Sequence, residues 1–80
     1  MRLDIGQEGD WMVDPRDLAS RLGVNANELK RLNRLGRVDA QLVTGTGEDT
    51  GLSRVIVRLS DRGWMGTFDE GGVLIHEEMW

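Results

Sequence analysis

His76 is the single histidine of the chain, and there is no cysteine and no tyrosine. Nucleophilic and general acid–base chemistry therefore has few groups to draw on. The nucleophile–base options shrink to a serine with His76, and Ser20, Ser53 and Ser60 show no nucleophile-elbow context. The carboxylates cluster in turns and termini, which are normally wet and do not perturb a pKa for catalysis. His76 stands beside Glu77 and Glu78, but neighbours in a strand face opposite ways, so only Glu78 shares its face. One imidazole and one carboxylate make a poor metal site. No enzyme activity, metal or cofactor is expected.

Two further groups of residues could carry recognition. The loop GTGEDTG at residues 45–51 is glycine-rich like a phosphate loop, yet it lacks the Gly-Lys-Ser/Thr ending that supplies the phosphate lysine and the metal hydroxyl. Glu48 and Asp49 would repel phosphate, and two carboxylates fall short of the oxygens calcium needs. The loop reads as a flexible hairpin tip that also offers an acidic contact to a basic partner. The second group is basic. Residues 16–37 carry six basic against two acidic groups, within a chain whose net charge is −4. Residues 1–15 carry one basic against four acidic groups, and residues 38–80 carry three against eight. A local basic patch meets the electrostatic requirement for phosphate binding. The acidic remainder opposes it within a Debye length of about 8–10 Å.

Length sets the frame for both groups. Eighty residues make one domain, which buries only about 60 % of its unfolded surface and has little room for a deep pocket. The absence of cysteine excludes a disulfide framework and a zinc finger and suits the cytoplasm. The N-terminus has no apolar signal core, and no run approaches the roughly 18 apolar residues of a membrane span. The chain reads as an intact small protein.

The basic residues sit on a predicted pair of short helices over residues 14–38. Asp14 caps the first, Pro15 suits its first position, and Asp17 favours the positive end of its dipole. Leu18, Ala19 and Leu22 share one face, and Gly23 stops the helix in a left-handed conformation. Asn25, with Glu28 three residues on, has the spacing of a capping box at the start of the second helix. Leu29, Leu32 and Leu35 form its expected buried stripe, and Gly36 ends it. Beyond Gly36 the period changes from helical to alternating. Strands are predicted over residues 38–44, 52–60, 64–68 and 73–78, joined by short turns. In the second of these, Ser53, Val55, Val57 and Leu59 face one way and Arg54, Ile56, Arg58 and Ser60 the other, as in an antiparallel sheet with one solvated face. Leu3 to Ile5 and Trp11 to Val13 add a predicted N-terminal hairpin. Trp64 is expected in the core. Trp80 and an exposed Ile56 are candidate contacts for a protein partner or a second copy, since tryptophan is enriched in binding hot spots.

The helix pair resembles a DNA-binding helix-turn-helix. The residues carrying the likeness are Ala19 at the crossing, Gly23 in the turn, Val24 after it, and Leu29 and Leu32 in the second helix. The resemblance implies that the second helix enters the major groove, with Asn25, Asn27, Lys30, Arg31, Arg34 and Arg37 near bases and phosphates. The whole chain also resembles a group of short bacterial proteins classed as a domain of unknown function. That likeness rests on the helix pair ending Leu35-Gly36-Arg37-Val38, on residues 47–51, on the strand from Arg54 to Leu59, and on residues 69–72. It implies a fold but no activity.

The expected fold is α+β: a helical hairpin packed on an antiparallel sheet of about four strands. The expected function is a non-catalytic binding module for a protein partner, with Ile56, Trp80, Glu48 and Asp49 as contacts. Nucleic-acid binding through the second helix is the alternative, and no membrane contact is expected.

Overall fold

Two helix starts and two helix stops, each built by a side chain or a glycine, organise the first half of the chain. The computed structural model describes Leu3 and residues 13–45 and 47–80. The predicted N-terminal hairpin lies outside the described residues, except for Leu3, whose N–H donates to the Gly72 carbonyl at 2.8 Å, and Val13, which is buried. Helix α1 spans Pro15–Leu22, and Asp14 Oδ1 accepts from the Arg16 N–H at 2.8 Å. The Arg16 side chain also binds Asp14 and holds its carboxyl below the usual range. Helix α2 spans Ala26–Arg34, and Asn25 Oδ1 accepts from the Glu28 N–H at 2.7 Å. Both helices end in the same way. Gly23 and Gly36 take positive φ of 74° and 71°. The amides after them, of Val24 and Arg37, reach back to the carbonyls of Ala19 and Leu32. This double closure satisfies carbonyls the helix leaves open, and only glycine adopts the left-handed turn cheaply.

Four strands follow as an antiparallel meander: β1 Asp39–Thr44, β2 Ser53–Arg58, β3 Gly63–Phe68 and β4 Leu74–Met79, in that order across the sheet. The fold is thus α+β, with both helices preceding the sheet. Register places Val55 opposite Gly66 and Val57 opposite Trp64, so the apolar positions of β2 and β3 share one face. Leu18, Ala19, Leu22 and Leu29 from the helices close over that face onto Val55, Val57, Trp64 and Phe68. Trp64 and Phe68 meet edge to face at 6.5 Å between ring centres.

A half-buried hydrogen-bond relay fixes α1 to the sheet. Glu77 Oε1 on β4 accepts from Trp64 Nε1 at 3.0 Å and from Arg21 Nε of α1 at 3.1 Å. Arg62, in the turn after β2, donates to the Leu22 carbonyl at 2.7 Å, satisfying a further open carbonyl at the end of α1. Gly66 makes room on the same face, because a Cβ there would run into the Trp64 indole.

Three expectations need correction. Leu35 is 54 % exposed rather than part of a buried stripe. The regular helix ends at Arg34, and the turn at Gly36 carries Leu35 outward. Ile56 is half-buried rather than exposed. It lies between Gln41 and Met65 across the sheet, and those cross-strand neighbours screen it. The acidic tip is built rather than loose: Gly47–Asp49 form a 3-10 turn closed by Thr50 Oγ1 on the Gly47 carbonyl at 2.7 Å.

Candidate interaction surfaces

The outer face of α2 collects most of the residues predicted to meet nucleic acid. Asn27, Lys30, Arg31 and Arg34 recur at steps of three and four and are exposed, on the side of the helix away from buried Leu29. A three-residue turn, Gly23 to Asn25, separates the two helices. Arg31 is partly neutralised by Glu28 at 3.3 Å. Asn25 spends its side-chain oxygen on the helix cap, which removes the acceptor half of a bidentate contact to adenine. Arg37 is exposed beyond the Gly36 turn, next to the start of β1. Arg34 and Arg37 have no ion-pair partner among the described residues.

The sheet offers a different surface. Every residue of β1 is exposed, so the helices cover β2 and β3 and stop short of the edge. Alternation puts Ala40, Leu42 and Thr44 on the helix side of β1 and Asp39, Gln41 and Val43 on the other. Leu42 and Val43, one on each face, are 36 % and 43 % exposed. Among the described residues no strand pairs with the outer edge of β1. An exposed edge is a template for another strand, and natural edges are usually blunted by charge, proline or a bulge. The opposite edge, β4, has such devices: a register break facing Thr67 and Phe68, and the run His76, Glu77 and Glu78. In β1 the only charge is Asp39, at its first position, and there is neither proline nor bulge.

Trp80 extends the face opposite the helices. Its ring lies against Gly63, where a Cβ would collide with it, and the Arg58 guanidinium stands 6.0 Å from the ring centre. The residue nevertheless stays 56 % exposed. Ile56 and Trp80 share this face, whereas Glu48 is exposed in the 3-10 turn at the far end of the β1–β2 hairpin. Asp49 is the last residue of that turn. The four predicted partner contacts therefore do not form one patch. Leu42 and Val43 were not singled out from the sequence, where the alternation of residues 38–44 was legible but the reach of the helices was not.

His76 Nε2 lies 3.3 Å from Glu78 Oε1, both exposed. No group of three or more His, Asp or Glu among the described residues is placed to hold a metal ion. A shallow cleft of about 310 Å³ lies between the end of α1 and the last strand. Its two guanidiniums are committed: Arg21 to Glu77, and Arg62 to Asp61 and the Leu22 carbonyl. No described helix is long and apolar enough to cross a membrane.

A helix pair on one face of a four-stranded antiparallel meander defines a small α+β protein. A family model described as a family of unknown function, DUF6522, matches residues 1–80, and the chain belongs to that family. No curated protein and no solved structure gives a match.

Proposed function

We propose that the chain is a non-catalytic docking module that engages a protein partner along the β1 side of its sheet. The observation that supports this is the state of β1: exposed on both faces, apolar at Leu42 and Val43, and unpaired along its outer edge among the described residues. An incoming strand gains main-chain hydrogen bonds along such an edge, while flanking side chains on the two faces set specificity. The test compares proteins captured by the wild-type chain with those captured by a Leu42→Lys/Val43→Lys variant. Both positions are exposed, so the variant keeps its fold. Loss of the specific partners from the variant is the expected result, and an unchanged partner set refutes the reading.

Nucleic-acid binding through α2 is the second reading, supported by the outward stripe of Asn27, Lys30, Arg31 and Arg34 and by the three-residue turn. It stands second because Glu28 and the acidic remainder of the chain oppose phosphate. An amide-resolved titration with duplex DNA tests it. Shifts confined to residues 24–37 that weaken with salt would support it through counterion release. No shifts at low salt would remove it.

A further inference from the structure

We propose that the partner received by β1 is a second copy of this chain, paired antiparallel about a two-fold axis centred on Leu42; the assignment rests on the docking reading above. The ladder fixes which backbone groups are available. The Gly45 N–H donates inward to the Leu52 carbonyl at 2.8 Å, as the continuation of the β1–β2 pairing. Hydrogen bonding alternates along an antiparallel strand, so Val43, Gln41 and Asp39 also point their N–H and C=O groups toward β2. Ala40, Leu42 and Thr44 point theirs outward. A two-fold axis at Leu42 sets Leu42 against its own counterpart and Ala40 against the second copy's Thr44. Each of these couples exchanges both main-chain bonds. The register is even, so each residue meets one on the same face. The two sheets join into one, with both helix pairs on the same side and the two Leu42 side chains adjacent between them.

Charge selects a second copy over an unrelated strand. The chain is electrically polar along the β1 direction. Arg34 and Arg37 lie just before β1, and Glu48 lies in the turn just after it. Antiparallel pairing brings opposite ends together. With Leu42 at the axis, Arg37, two residues before β1, comes to the end of the interface where the other copy's 3-10 turn, Gly47–Asp49, carries Glu48. Symmetry repeats the contact at the other end, as an isologous interface requires. Asp39 falls across from Gly45, so no like charges are opposed. The same segment thus supplies both halves of the complementarity.

The experiment is sedimentation of the purified full chain across a concentration series, for wild type, Arg37→Glu, Glu48→Arg, and an equimolar mixture of the two variants. Both substitutions are at exposed positions, and circular dichroism checks that each variant is folded. The wild type is expected to approach twice the chain mass. Each variant alone opposes like charges at both ends, and its dimerisation should move to about tenfold higher concentration. The mixture restores attraction at both ends, so dimer should reappear at wild-type concentrations. A wild type that stays monomeric throughout, or a mixture no better than either variant, overturns the second-copy assignment. That result would leave the docking reading standing, because docking fails on a separate outcome, an unchanged set of captured proteins.

Discussion

Removing the Glu77 carboxylate should loosen the attachment of α1 to the sheet, by an amount that can be worked out from three groups. Glu77 Oε1 accepts from the indole N–H of Trp64 and from Arg21. Trp64 is fully buried, so Glu77→Ala leaves its N–H without a partner, which costs about 1–3 kcal/mol. The Arg21–Glu77 pair is about 30 % exposed on each side, so solvent screening holds its share to at most about 1 kcal/mol. The combined loss is about 1–4 kcal/mol. For a domain of this size each kcal/mol lowers Tm by about 4–8 °C. Glu77→Gln keeps an oxygen for the indole and loses only the charge, so it should cost about 1 kcal/mol or less. Urea unfolding followed by far-ultraviolet circular dichroism reads both. An alanine variant within about 0.5 kcal/mol of wild type, or a glutamine variant as damaging as alanine, would refute the reasoning. There is also a pH signature. The Trp64 hydrogen bond, aided by Arg21, holds the Glu77 carboxyl below the usual glutamate range. The folded state thus keeps the charge to lower pH than the unfolded state. The resulting stability is present in full above the ordinary glutamate value of about 4.3 and is lost as pH falls through the folded value. Glu77→Gln should therefore flatten the acid side of the stability curve.

Gly66→Ala places a methyl group where the Trp64 indole lies, and overpacking of this kind should cost about 1–3 kcal/mol in urea unfolding; a neutral result would mean that the indole has room to move. Asn25→Ala removes the cap of α2 and should lower stability by about 1 kcal/mol, read in the same way. Leu35→Gln should stay within about 0.5 kcal/mol of wild type, because this leucine is exposed beyond the helix end; a larger loss would return it to the core.

Local chemistry made much of the fold legible in the sequence. Asp14, Asn25, Gly23 and Gly36 mark helix ends with residues whose side chains or conformations suit only those positions. Alternation in residues 53–59 identified the buried face of β2, because Val55 and Val57 share one face while Arg54 and Arg58 take the other. The stripe drawn through Leu29, Leu32 and Leu35 failed for a geometric reason. Six residues at about 100° each carry Leu35 well round the helix from Leu29, and the chain has left the helix by then. The exposure of β1 was not legible either. Ala40, Leu42 and Thr44 alternate like a strand with one buried face, but burial depends on how far two short helices reach across the sheet. The setting of Trp80 depends on Gly63 and Arg58, which only strand register brings beside it. The α2 basic stripe was legible because it needs only helical spacing. The β1 surface needed the third dimension.

Amide hydrogen exchange along β1, followed residue by residue through a dilution series, tests the central claim most directly. If the outer edge of β1 docks a second copy, the amides of Ala40, Leu42 and Thr44 are protected at high concentration and lose protection on dilution. The amides of Gln41 and Val43, bonded inward to β2, stay protected throughout. Exchange at Ala40, Leu42 and Thr44 that is fast and independent of concentration would contradict the claim.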